Sequence, residues 1–124
     1  MKTRSMIVMA ALLGSSPALA QYTDGVVKIG VLNDMSSLYA DINGIGSVVA
    51  AKLAVEDFGA AAKGIKVEIV YADHQNKPDV GSSIASSWFD VDKVDMIVDV
   101  PNSGVALAVS VVSGMCRCVP GRTS

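Results

Sequence analysis

The 124-residue chain has one histidine, His74, and two cysteines, Cys116 and Cys118, which stand two positions apart near the C-terminus. A lone C-x-C with no second cysteine pair does not make a zinc site. A disulfide across one intervening residue would be strained. The single histidine sits in "DHQNKPD", which reads as a solvated loop. No Ser-His-Asp or Cys-His set can be assembled around it, so neither catalysis nor metal or cofactor chemistry is expected. There is no run of Lys or Arg, hence no electrostatic footprint for nucleic acid. Beyond Gln21 no apolar stretch approaches the roughly twenty residues of a membrane span.

What is present begins with a compartment signal. Lys2 and Arg4 precede the short apolar run "MIVMAALLG", and "SSPALA" ends in the small-x-small site Ala18-Leu19-Ala20. This is the layout of a secretory signal peptide with cleavage after Ala20. No cysteine follows that site, so no lipid anchor is indicated. The mature chain would start at Gln21 with 104 residues; without Lys2 and Arg4 it carries 8 Lys+Arg against 12 Asp+Glu, a net charge of −4. A chain of this size is one domain at most and buries about two-thirds of its unfolded surface. The product is expected to be exported and soluble.

Three strand signals recur along it: "VVKIGVL" (26–32), "KVEIVYA" (66–72) and "DMIVDV" (95–100). Runs that are apolar on both faces suit a parallel sheet covered by helices on either side. Between the first two, Val48, Ala51, Val55 and Phe58 repeat at three- and four-residue steps, the buried stripe of an amphipathic helix that ends at Gly59. Lys52 and Glu56 fall on its outer face at i,i+4. A second helix should open at Pro78, since proline favours the first helical position, and run through "DVGSSIASSWF", with Trp88 and Phe89 anchoring it to the sheet. A third opens at Ser103 with "SGVALAVSVV". The order β-α-β-α-β-α predicts an α/β fold, a partial doubly wound parallel sheet of three strands with flanking helices.

After Val112 the pattern fails. "SGMCRCVPGRTS" crowds both cysteines, two arginines and a proline into twelve residues with no further strand. A three-stranded open sheet leaves a hydrophobic edge. The expected division is therefore a signal peptide over 1–20, a partial lobe over 21–112, and an aberrant, frame-shifted or disordered tail over 113–124.

In an open doubly wound sheet, ligands lie beyond the carboxyl ends of the strands where the strand order reverses. With order 2-1-3 the crevice opens between the first and third strands, flanked by the loops 33–43 and 99–104. Both loops lead into helices, whose first N–H groups and dipoles favour an anionic guest such as a carboxylate. Ser103 and Ser36 or Ser37 could add hydroxyl donors, and Tyr39 a flat apolar wall with a polar tip. Read singly, Asn102 or Ser103 could simply be an N-cap and Tyr39 a cover for the sheet end. "GIGSVV" is only superficially a dinucleotide fingerprint, because it starts about a dozen residues past the strand. Asp34 and Asp99 could imitate the acidic pocket of a phospho-receiver, but no phosphate-pairing lysine follows.

"VKIGVLNDMSSLYADINGIGSVVAAKLAVEDFG" and "IKVEIVYADHQNKPDVGSSIASSWFDVDKVDMIVDVPNSGVALAV", behind a signal peptide, resemble the N-terminal part of periplasmic solute-binding proteins of ABC transporters. The likeness is to the leucine/isoleucine/valine type, which also takes amides, urea and aromatic acids, and it runs from Val26 to Val109. It implies an incomplete first lobe of a type I periplasmic binding protein, a small carboxylate-bearing solute as ligand and a membrane permease as partner of the full-length protein. It makes Asp34–Tyr39, with Ser37, Leu38 and Tyr39, the family's first-strand loop and Pro101–Ser103, with Asn102 and Ser103, its ligand-facing serine loop. Ser103 and neighbouring amides would grip the carboxylate, while Tyr39 or Leu38 would line the pocket. The segment at Asp73 corresponds to a structural loop. The second lobe is absent from this chain, so the resemblance implies a weak or inactive binder; a non-functional gene remnant or a Rossmann-like enzyme fragment are the competing expectations.

Overall fold

The computed structural model describes residues 25–117, with side chains through residue 114. The signal-peptide reading and the side chains of Cys116 and Cys118 lie outside the described residues. Strands β1 (Val27–Asn33), β2 (Val67–Asp73) and β3 (Met96–Val98) alternate with helices α1 (Gly44–Phe58), α2 (Pro78–Ser87) and α3 (Ser103–Arg117). The sheet order is β2-β1-β3, all parallel. This is the α/β, doubly wound arrangement expected from the strand and helix signals.

Registers assign the faces. Ile29 pairs with both Ile69 and Met96, and Val31 with Tyr71 and Val98. Side chains alternate along a strand, so these residues share one face, which α1 covers. The other face carries Leu32 with Val70, Ala72 and Ile97, packed against Ala85, Trp88, Val94, Val105 and Val109. The main core therefore lies between the sheet and the α2–α3 pair.

Two glycines are required by close approach. A Cβ at Gly30 would overlap the six-membered ring of Trp88, which lies directly on the middle of β1. A Cβ at Gly81 would stand 2.5 Å from a methyl of Val105, so Gly81 lets α2 and α3 come together. Trp88 thus does anchor its helix to the sheet. The α-helical ladder, however, stops at Ser87, and Trp88–Asp92 forms a π-helical turn closed by Lys93 in the left-handed region (φ 57°).

The α1 face is less tightly filled. Ala51, Val55, Phe58, Ile29, Ile69 and Val98 are among the walls of an apolar hollow of about 490 Å³. Val48 is buried as its place in the stripe demands, but Phe58 is 56% exposed. Phe58 is the last residue of α1, past which Gly59 turns the chain (φ 67°). Its ring instead carries the Lys63 ammonium 3.5 Å from its centroid, a cation–π contact. Lys52 lies over the Tyr71 ring at 5.9 Å.

β3 is shorter than its apolar run. Asp95 is held outside it by paired bonds with Lys28, whose N–H donates to the Asp95 carboxylate (2.8 Å) and whose carbonyl accepts the Asp95 N–H (2.9 Å). Asp99 ends it with a left-handed backbone (φ 56°). An apolar hollow of about 660 Å³ lies between β3 and α3. Helix α3 continues to Arg117, into the segment expected to be tail.

Gly30→Ala should lower stability by about 1–3 kcal/mol through overpacking. The loss should shrink when Trp88→Leu is also present, because the two changes share one contact. Chemical denaturation of the four variants of the cycle checks this; additive losses would contradict the ring-on-strand contact.

Candidate functional site

The site is built from the residues that end the strands. β1 closes with Asn33 and runs into Asp34, both fully buried. The Asn33 side-chain amide donates to the carbonyl of Gly44, the first residue of α1 (2.9 Å), and to the carboxylate of Asp99, just past β3 (3.0 Å). One side chain thus joins the end of β1 to both flanking segments, and the loops 33–43 and 99–104 meet at the same rim, as the sheet order requires.

The loop after β1 is organised by two carboxylates. Asp34 accepts the N–H of Ser37 (2.9 Å), the hydroxyl of Ser37 (2.6 Å), the N–H of Tyr39 (2.9 Å) and, at 3.4 Å, the N–H of Ser36. Burial alone would raise its pKa, but these hydrogen bonds, led by the Ser37 hydroxyl, bring it down to about 2. Asp73, at the end of β2, accepts the N–H of Met35 (3.0 Å), the Ser36 hydroxyl and the N–H of Gln75 (2.7 Å). Its pKa is also lowered: burial and the Asp34 charge push it up, and the Ser36, Met35 and Gln75 bonds outweigh them.

Among the candidate ligand residues, Ser37 is exposed but its hydroxyl proton points inward to Asp34. The Ser36 proton points to Asp73 in the same way. Both hydroxyls act as braces, so neither offers its proton outward. Leu38 is 73% exposed, and Tyr39 is half-buried. Asn102 takes the capping role that was open in the sequence. Its side-chain oxygen accepts the Val105 N–H (3.0 Å), its carbonyl accepts the Ala106 N–H (2.8 Å), and its amide donates to Asn76. The amides of Ser103 and Gly104 precede the first intrahelical bond of α3 and have no partner within the helix. Ser103 and Gly104 are both exposed.

His74 corrects a sequence expectation. It is fully buried, not a solvated loop residue. β2 carries it inward beside Gly81 of α2, where its backbone N–H extends the ladder to the Asn33 carbonyl (2.9 Å). Its Nδ1 accepts the Asn76 N–H (3.0 Å), and Asn76 in turn receives Asn102. Burial lowers its pKa despite the nearby charges of Asp34, Asp73 and Asp99. Its Nε2 and the Asn33 side-chain oxygen are buried without a hydrogen-bond partner among the described residues. Sequence reasoning gave Asn33 no role beyond opening the first loop, and the resemblance gave the Asp73 segment only as a structural loop. Asp34 followed by two serines carried a usable signal, since a carboxylate readily caps N–H groups two and three residues on.

Among the described residues no group of three His, Cys, Asp or Glu side chains could hold a metal ion, and no helix is long and apolar enough to cross a membrane. The arrangement is a rim: two helix N-termini and an ordered polar loop at the carboxyl ends of adjacent parallel strands. That is the plan of a lobe in an open α/β ligand-binding fold.

Comparison with known proteins agrees. The sequence pattern of the periplasmic binding protein family matches residues 26–113. A periplasmic binding protein from Burkholderia mallei superposes with a TM-score of 0.70 at 45% identity, covering 76% of this chain and 25% of that one. A branched chain amino acid ABC transporter periplasmic ligand-binding protein from Burkholderia xenovorans gives 0.66 at 56% identity over 72% of this chain and 24% of its own. The branched-chain amino acid transporter substrate-binding protein LivJ from Streptococcus pneumoniae, solved with isoleucine, gives 0.65 at 25% identity over 73% and 26%. No curated protein matches. The chain belongs to the periplasmic binding protein family, and it spans about a quarter of the length of these solved relatives.

The neutral burial of His74 gives a pH dependence with a definite sign. As pH falls through the ordinary imidazole value of 6.5, the unfolded chain takes up a proton before the folded one does. Stability should be level above 6.5 and decline below it, with a second decline from Asp34 between 3.8 and about 2. Urea midpoints measured across both windows, with the His74 imidazole followed by NMR, check this. A His74 titration at or above 6.5 would contradict it.

Proposed function

We propose that this chain supplies part of the first lobe of an exported solute-binding component of an ABC importer, acting in the periplasm after removal of residues 1–20. Its rim cradles a small carboxylate-bearing solute, from the class of branched-chain amino acids, amides or aromatic acids, on the amides of Ser103 and Gly104. The Ser103 hydroxyl adds a donor, Asn102 fixes the helix start, and Leu38 and Tyr39 form the apolar wall above the Ser37 turn. The full-length protein would pass the solute to a membrane permease. No catalytic step and no nucleic acid enters this role.

The observation that carries the reading is the Asn33 bridge, which ties the start of α1 and Asp99, at the head of the loop into α3, to one rim. Uncapped N–H groups at a helix start favour an anionic guest, and the exposed Leu38 side chain suits an apolar one. The half-site nevertheless lacks enclosure. A micromolar ligand corresponds to about −8 kcal/mol, so removing roughly half the contacts leaves about −4 kcal/mol, a millimolar affinity. Water reaching the amides weakens them further.

Calorimetry with isoleucine and with benzoate should detect no binding tighter than about millimolar. NMR titration with isoleucine should move the Ser103 and Gly104 amides first. A micromolar dissociation constant would overturn the half-site reading, and shifts confined to another part of the fold would overturn the assignment of the rim.

A further inference from the structure

We infer that Asp34 and Asp73 are positioning residues, whose two carboxylates hold residues 35–39 in a single ligand-ready conformation before any ligand or second lobe arrives. The inference rests on the solute-binding reading for what the loop meets, but the brace itself stands on geometry.

Asp34 is buried at the end of β1 and turns both oxygens towards its own loop. One oxygen takes the N–H groups of Ser36 and Ser37, and the other takes the Ser37 hydroxyl and the Tyr39 N–H. Asp73 comes from the neighbouring strand. The β1–β2 register sets it opposite Asn33, and its carboxylate reaches across to Met35 and Ser36. Every donor in this set lies between residues 35 and 75, so the brace is complete within the chain. Tyr39, whose ring is the candidate wall of the pocket, is tied at its backbone to Asp34. Its carbonyl also accepts the N–H groups of Ile42 and Asn43 (both 3.0 Å), which fixes the turn into α1.

The two carboxylates are not equivalent. Both oxygens of Asp34 face backbone N–H donors, which cannot reverse. Asn at this position would oppose one N–H to another in either flip, against Tyr39 or against Ser37. One oxygen of Asp73 faces only the Ser36 hydroxyl, which can rotate to accept from an amide. Asp34→Asn should therefore break the brace, and Asp73→Asn should preserve it. A merely electrostatic role would make the two substitutions alike.

The test uses the full chain and residue-resolved amide exchange. In Asp34→Asn the Ser37 and Tyr39 amides should exchange about tenfold or more faster, while Val31 in β1 keeps its rate. In Asp73→Asn all of these rates should stay within about twofold of the parent. Equal effects from the two variants, or an unchanged Tyr39 rate in Asp34→Asn, would overturn the inference. If Asp34→Asn does not fold, Ser37→Ala removes one donor only, and the Asp34 carboxyl should then titrate above its value of about 2; no change would overturn the brace. Isoleucine titration separates this from the functional reading. If the parent responds and Asp34→Asn needs about fivefold more isoleucine for the same response, positioning is supported. If both respond at one concentration, positioning fails and the solute reading stands. If the parent never responds, the solute reading fails and the exchange rates alone decide the brace.

Discussion

The carboxamide of Asn33 is the constraint on which the rim depends. Parallel strands place their carboxyl ends side by side, but this alone does not fix the segments that leave them. Asn33 does so by giving one proton to the start of α1 and the other to the carboxylate that follows β3. The Gly44 carbonyl belongs to a buried residue, where an unmet hydrogen bond is costly, whereas Asp99 is exposed. The rim is thus held by the two amide protons of Asn33, and the same residue extends the β1–β2 pairing by accepting the His74 N–H on its backbone carbonyl. Sheet pairing and rim construction share a residue.

A second polar chain runs over the opposite face. It passes from buried His74 through Asn76 to Asn102 and ends at the first turn of α3. Gly81 makes this possible by letting α3 approach α2 beside the histidine. Packing between helices and capping of the serine-bearing helix are therefore one problem with one solution. A change at the α2–α3 contact would be felt at the Ser103 entrance without touching it.

Much of the architecture was legible in the sequence. The apolar runs identified three strands, Pro78 and Ser103 marked two helix starts, and the order 2-1-3, supposed from the general plan of such sheets and read from no particular residue, is the one observed. Strand ends were read less well, because Asp95 and Asp99 are excluded from β3 by a pairing with Lys28 and a left-handed turn, neither of which has a periodicity. The two loops that meet at the rim were named from the sequence, whereas the division of labour inside them was not visible. Ser36 and Ser37 look like ligand donors until Asp34 and Asp73 are seen to claim their protons. His74 looked solvated because it sits among polar residues; only the path of β2 shows that it turns inward. Linear patterns report burial along one element, and these roles arise between elements.

The two faces of the sheet differ in a way that bears on how the molecule breathes. Helix α1 packs chiefly on β1 and β2, whereas α2 and α3 also pack on each other, and exchange from the folded state proceeds first through the more loosely held units. The loop that precedes α1 is fastened mainly to the two strands, by Asp34 and Asp73. Detachment of α1 would break the Asn33–Gly44 bond and take one of the two helix N-termini from the rim, but it would leave the Asp34 and Asp73 bonds in place. Residues 35–39 are thus insulated from the loosest seam of the fold, so fraying of α1 leaves their turn intact while its own entrance moves away.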